Sequence, residues 1–253
     1  FLERYGRLID SLGGIFSTGE DLGTTPEDFA VIARQTRHIH GFDPDSGQKI
    51  DPGPFTARGV FAGMRAAAEE VFGGGLADRV VLIQGVGHVG RRLAEMLRRE
   101  GARVLLCDID EELARRVAEE IGGETVRADR VYDTPCDIYS PCAIGSTLNE
   151  ETIPRLSCRL VAGSANNQLA TEADADRLHR REIVYAPDFV INGGGAMAFG
   201  LLANGETDTA AILQRMDDVG STIGEIFREA SANDESPLDA ANRRVRRVLE
   251  RGA

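Results

Sequence analysis

Apolar positions recur first at helical spacing and then in short blocks separated by helical stretches. Leu2, Tyr5 and Ile9 predict a helix over residues 1–12 that ends at Gly13-Gly14. A short strand through Ile15-Phe16-Ser17, a polar turn from Gly19 to Pro26 and a helix near 27–36 are expected next. Residues 41–54 are dense in Pro, Gly and Asp, which marks a loop and a candidate boundary between domains. Over 57–72, Val60, Met64, Ala67 and Val71 share one helical face, and Gly73 is placed to end that helix. From there strands and helices alternate: strand 79–84, helix 89–100, strand 102–107, helix 111–121, then shorter strands near 124–127, 137–140, 159–163 and 183–185. That alternation predicts an α/β fold, a mostly parallel sheet with helices on both faces. Gly193-Gly194-Gly195 opens a helix near 196–203, and 207–231 reads as one long amphipathic helix. Ser236-Pro237 reads as an N-cap and first helical residue of a final Arg-rich helix.

The chain has 253 residues, 42% of them apolar, enough for a proper core in one large domain or slightly more. Blocks such as Val80–Ile83 are too short to span a bilayer, and no basic-then-apolar leader opens the sequence, so a cytoplasmic protein without membrane contact is expected. A net charge of −12 makes nucleic acid a poor partner. Cys107, Cys136, Cys142 and Cys158 contain no C-x-x-C pair and read as reduced, mostly buried thiols. No metal site is expected, since no histidine pair has ligand spacing.

Gly85-Val86-Gly87-His88-Val89-Gly90 is G-x-G-x-x-G. It follows the apolar strand ending near Ile83, opens a helix, and is followed by a second strand that ends in Asp108. Strand, glycine turn, helix, strand and terminal acid make up the dinucleotide-binding pattern of a Rossmann-like fold. Gly85 permits the tight turn, Gly87 lets backbone approach a pyrophosphate, and Gly90 lets helix pack on strand. The helix N-terminus offers unpaired N–H groups and a positive dipole end. Asp108 can accept from both ribose hydroxyls and would repel a 2′-phosphate, so NAD is favoured over NADP. His88 and Val89 in the turn, and Ile109 after the acid, are counted with the cofactor site.

Six segments together resemble one family, the leucine, phenylalanine and valine branch of the amino acid dehydrogenases related to glutamate dehydrogenase. They are Thr18–Thr25, Pro54–Val60, Gln84–Gly90, Pro141–Gly145, Val161–Leu169 and Ala186–Gly194. The resemblance implies reversible, NAD-dependent oxidative deamination of a branched-chain or aromatic L-amino acid to a 2-oxo acid and ammonia. It matches Asp21 to the catalytic aspartate; residue physics alone leaves a turn or N-cap role equally open. Asn166 matches the residue on the nicotinamide side, Cys142 and Ala143 a loop beside the ring, and Thr56 a threonine near the cofactor. Asn192 resembles a contact to the substrate's carboxylate or amino group, with a helix N-cap as its structural alternative. Gly19, Ala196 and Phe199 fall where side-chain specificity is expected. Gly19 leans toward an aromatic substrate, Phe199 toward a smaller one, and simple core packing is the alternative for Phe199.

The family also carries lysines upstream of the catalytic aspartate. Here the sole lysine is Lys49, in the Pro/Gly/Asp-rich loop, and it reads as a solvated surface residue. With a sequence that starts at Phe1 in mid-helix pattern, the expectation is part of a longer enzyme. The alternative is a catalytically incomplete NAD-binding or regulatory module. Residues 1–45 then read as the remnant of a substrate domain, 46–235 as the NAD-binding domain, and 236–253 as a helix returning to the substrate domain. The intact protein is expected to be a homo-oligomer.

Overall fold

A computed structural model describes residues 1–19, 25–41 and 51–252. It begins with α1 (Leu2–Ser11), β1 (Thr18–Gly19), α2 (Pro26–Ala33) and β2 (Ile39–His40). β1 and β2 pair in parallel, with Thr18 opposite Ile39 and Gly19 opposite His40. The strand therefore lies beyond the expected Ile15–Ser17. Gly13 and Gly14 both take positive φ, which turns the chain outward. Ile15 is then 94% exposed and Phe16 51%, and the first ladder bond runs from the Thr18 amide to the His38 carbonyl at 3.1 Å. α2 opens on a reciprocal capping box in which Thr25 accepts from the Asp28 amide and Asp28 accepts from the Thr25 amide.

α3 (Gly53–Phe72) starts inside the stretch expected as loop. Asp51 Oδ1 accepts from the Gly53 amide at 2.8 Å, and Pro54 in the first turn needs no intrahelical donor. Val60, Met64 and Ala67 are fully buried as the periodicity predicts, and Gly73 closes the helix at φ 69°.

The sheet follows. Its strands are β3 (Val80–Gln84), β4 (Arg103–Cys107), β5 (Glu124–Thr125), β6 (Ile138–Pro141), β7 (Leu160–Val161) and β8 (Val184–Tyr185). They lie in the order β5-β4-β3-β6-β7-β8, and every pairing is parallel. The helices α4 (His88–Arg99) and α5 (Glu111–Ile121) connect the first strands. Side chains alternate between two apolar layers. Val81, Ile83, Val104, Leu106, Ile138 and Leu160 face the layer shared with α3, α4 and α5. Leu82, Leu105, Tyr139 and Val161 face the other, with Leu148, Ile153 and Leu178. The latter layer is covered partly by α6 (Ala173–Arg180), which the periodicity did not announce because only Ala175 and Leu178 of its apolar positions point inward. Truncating the fully buried Leu82 to alanine is expected to cost roughly 2–5 kcal/mol in urea unfolding; a cost near zero would mean the second layer is not packed.

α7 (Asp188–Ile191) and α8 (Gly194–Ala203) lead into a helical C-terminal region. The long helix expected over 207–231 is two helices, α9 (Thr209–Arg215) and α10 (Asp218–Asn233). At the break Asp217 takes both Nε and Nη2 of Arg58, at 2.7 and 2.8 Å. The break lets Ile212 and Met216 pack against Phe55 and Ala198, while Val219 and Ile223 enter the main core. Gly220 lies against the Ala62 carbonyl, so α10 and α3 approach closely. Ser236 caps α11 (Pro237–Gly252) as expected, accepting from the Asp239 amide at 3.1 Å. Ala240 and Ala241 place the start of α11 in the main core.

Candidate functional site

In an open parallel sheet, ligands bind where strand order reverses, beyond the carboxyl ends of the strands. Here that point lies between β3 and β6, because β3 leads to β4 on one side and β6 takes the other. The glycine turn stands there. Gly85 has φ 100°, and its amide donates to the Cys107 carbonyl at 2.7 Å. A Cβ on Gly85 would meet Ala143 at 2.8 Å, and one on Gly90 would lie 2.0 Å from the Gly85 carbonyl oxygen. Gly87 is different: a Cβ there would meet nothing, and Gly87 caps α4 without any side-chain hydrogen bond. The turn thus presents the bare N-terminus of α4 to open space, with His88 exposed beside it and Val89 half-buried.

Asp108 follows β4 and holds the turn in shape. Its Oδ2 accepts from the Val86 amide at 2.8 Å and its Oδ1 from the Asp110 amide at 3.0 Å. Each carboxylate oxygen keeps a further lone pair for another donor. Ile109 is 96% exposed directly after it. Burial, followed by the charges of Asp108 and Glu111, pushes the Cys107 thiol up to about 11, so it stays neutral.

The loops after β6 and β7 reach the same edge. The Cys142 amide donates to the Gln84 carbonyl at 2.7 Å, which seats Cys142 and the exposed Ala143 next to the glycine turn. Gly163 has to be glycine, since a Cβ would lie 2.2 Å from the Pro141 carbonyl oxygen. Asn166 and Asn192, separated by 26 residues, meet here: Asn192 Nδ2 donates to Asn166 Oδ1 at 2.6 Å. The same Nδ2 also approaches the carbonyls of Ser164 and Ala165. Sequence reasoning assigned no role to Gln168. It is fully buried, and its Nε2 donates to the carbonyls of Gly163 and Ala165, which fixes the loop that carries Asn166. Its signal was a single amide directly after the Asn-Asn pair, readable only once the loop closes over it. Beneath the edge, Tyr139 donates to Gln84 Oε1, and burial holds the Tyr139 phenol well above its usual range.

Thr56 sits on α3 and donates to the Pro52 carbonyl at 3.2 Å. A Cβ on Gly195 would come within 2.7 Å of its Oγ1, so α8 rests directly on this threonine. Of the three specificity candidates, the structure joins two through a residue the sequence did not single out. His40 stacks on Phe199 with ring centroids 5.7 Å apart and planes 18° from parallel, and among the described residues its side chain is the one that a Cβ on Gly19 would meet, at 3.6 Å. Ala196 lies exposed on the first turn of α8. Asp21 and Lys49 lie outside the described residues. Among the described residues, no cluster of His, Cys, Asp and Glu could hold a metal, and no helix is long and apolar enough to cross a membrane.

Comparison with known proteins agrees with this fold. Residues 106–248 match the model of the glutamate/leucine/phenylalanine/valine dehydrogenase family. The leucine dehydrogenase of Thermoactinomyces intermedius is 49% identical over 193 residues, 76% of this chain and 53% of that protein. That of Bacillus cereus is 41% identical over 239 residues, 94% of this chain and 65% of that protein. The chain therefore spans between half and two thirds of the length of these relatives. Among solved structures, L-tryptophan dehydrogenase from Nostoc punctiforme superposes with a TM-score of 0.82 at 34% identity, over 96% of this chain and 69% of that one. From the glycine turn to the C-terminal helices, the chain belongs to the glutamate, leucine, phenylalanine and valine dehydrogenase family.

Proposed function

We propose that the protein acts as an NAD-dependent L-amino acid dehydrogenase on an apolar substrate, branched-chain or aromatic. The reaction converts an L-amino acid reversibly to its 2-oxo acid and ammonia. The observation that carries the proposal is the meeting of the glycine turn with the Asn166–Asn192 pair at one switch point, in a chain of this family. The residues present fit a dinucleotide. Gly87 leaves the space a pyrophosphate needs, and the uncapped start of α4 offers N–H donors to it. Asp108 suits a diol rather than a phosphate, and exposed Ile109 gives an apolar surface beside it. When bound, the nicotinamide supplies the hydride acceptor.

The chain's own groups take the remaining tasks. Asn166 holds the nicotinamide amide, with Cys142, Ala143 and Thr56 shaping the space around the ring. Asn192 orients the substrate's carboxylate or amine, and its bond to Asn166 couples the two halves of the site. Asp21 exchanges protons with the amine and the attacking water. Gly19, Phe199 and Ala196 bound the side-chain pocket, with His40 between the first two.

The test is the growth of reduced-nicotinamide absorbance when the protein meets NAD and L-leucine, L-valine or L-phenylalanine. Growth is expected with an L-amino acid and reversal with the matching 2-oxo acid and ammonia. Saturable NAD binding with no turnover on any of these substrates would contradict a dehydrogenase. A second expectation concerns cofactor choice. Asp108→Ser should narrow the preference for NAD over NADP by roughly tenfold, about 1.4 kcal/mol, in parallel affinity titrations. An unchanged ratio would mean that Asp108 does not face the ribose.

A further inference from the structure

Cys136 and Cys158 stand just ahead of β6 and β7, on neighbouring parallel strands. The register Ile138–Leu160 and Tyr139–Val161, carried back along both chains, sets Cys136 opposite Cys158. The pairing persists that far, because the Cys136 amide donates to the carbonyl of Ser157, the residue before Cys158, at 3.4 Å. Facing residues on paired strands lie about 4.8 Å apart and point to the same face. That falls inside the Cα separation of roughly 4.4–6.8 Å that a disulfide bridges. Both are free thiols, and both belong to the apolar layer around Tyr139. Cys107 and Cys142 have no such partner: Cys107 faces Gln84 across the β3–β4 ladder, and Cys142 lies beyond the far end of β6.

The two thiols also differ from each other. The contact with Cys158, then burial, pushes Cys136 up, whereas the contact with Cys136 holds Cys158 down against burial, helped by the charge of Arg181. Arg181 is itself fixed by the carbonyls of Ile153 and Leu156. Cys158, 8% exposed, and Arg181 line a cavity of about 1070 Å³ together with Arg159, His179 and the acidic Glu182 and Glu235, so the thiol borders space that a low-molecular-weight disulfide can enter.

We infer that Cys136 and Cys158 form a dithiol site that is oxidised to an intrachain disulfide by low-molecular-weight disulfides of the glutathione kind. The Cys158 thiolate attacks one sulfur of the external disulfide, forming a mixed disulfide and releasing one external thiolate. Cys136 then loses its proton and attacks the Cys158 sulfur, closing the protein disulfide and releasing the second external thiolate. The protein gives up two electrons and two protons, and the external disulfide becomes two thiols. The site lies at the opposite end of the sheet from the glycine turn, so the inference stands apart from the proposed dehydrogenase activity.

The test treats the folded protein with oxidised glutathione, removes the reagent, denatures the protein in excess iodoacetamide so that buried thiols are also blocked, and maps the peptides by mass spectrometry. The expected result is the loss of two of the four free thiols, a linked peptide joining Cys136 to Cys158, and alkylated Cys107 and Cys142. Cys136→Ser should trap glutathione on Cys158, because no second thiol resolves the mixed disulfide. Cys158→Ser should leave Cys136 alkylated and free of glutathione. Four alkylated cysteines in the wild type, a link through Cys107 or Cys142, or a glutathione adduct that persists beside Cys136 would each overturn the inference. The wild-type map decides the matter even if a serine variant fails to fold.

Discussion

Gly90→Ala is expected to destabilise the protein by roughly 3 kcal/mol and to abolish NAD binding, whereas Gly87→Ala should weaken NAD binding without destabilising the protein. A methyl group on Gly90 would stand 2.0 Å from the Gly85 carbonyl oxygen and 3.3 Å from Cys142 Cβ. The clash is with backbone, so no rotamer relieves it. Either α4 lifts from β3 or the turn unwinds, and each movement exposes the layer formed by Leu93, Ala94 and Leu97. At Gly87 a methyl group meets no atom of the protein, and the residue's φ of −68° suits alanine. Its stability should be unchanged or slightly higher. Its affinity for NAD should fall by roughly tenfold or more, about 1.4 kcal/mol, because the methyl group fills the approach to the helix N-terminus. Paired urea melts and NAD titrations on the two variants check this. Equal stability loss at both positions would mean that the turn is simply intolerant of side chains.

Asp21→Asn should lower turnover by about 10²–10⁴ while leaving NAD affinity near that of the wild type. Asparagine keeps the size and hydrogen-bonding reach of aspartate but cannot take a proton from the substrate's amine or from water. The assignment rests on the resemblance of the Thr18–Thr25 segment. β1 ends at Gly19, two residues before Asp21, and Gly19 pairs with His40. His40 stacks on Phe199 of α8, the helix that follows Asn192. β1 is thus linked through His40 to α8, whereas the dinucleotide turn belongs to other strands. Steady-state kinetics with separate NAD titration is the check. Full turnover in the variant would remove Asp21 from the chemistry, and a parallel loss of NAD affinity would make its role structural.

Much of this was legible in the sequence because it is local. The glycine spacing, the apolar strand before it and the acid after the next strand each report on a few adjacent residues, and the structure keeps all three in one turn. The capping signals at Ser236 and Gly73 were readable for the same reason. What escaped depended on partners far along the chain. Ile15 and Phe16 look like strand residues, but the ladder begins at Thr18, whose amide donates to the His38 carbonyl and which lies opposite Ile39. The break between α9 and α10 is set by Arg58, which binds Asp217 across 159 positions of sequence. The Asn166–Asn192 bond and the His40–Phe199 stack likewise form only after folding. The resemblance named Asn166, Asn192 and Phe199, but not that Asn166 and Asn192 would touch each other or that His40 would join Gly19 to Phe199.

The most direct test of the account is a calorimetric titration of the wild-type protein with NAD. Saturable binding of one NAD per chain, competed by NADH and weaker for NADP, is expected. The absence of a binding isotherm, or equal affinity for NAD and NADP, would contradict the assignment of the glycine turn and Asp108 on which the proposed function rests.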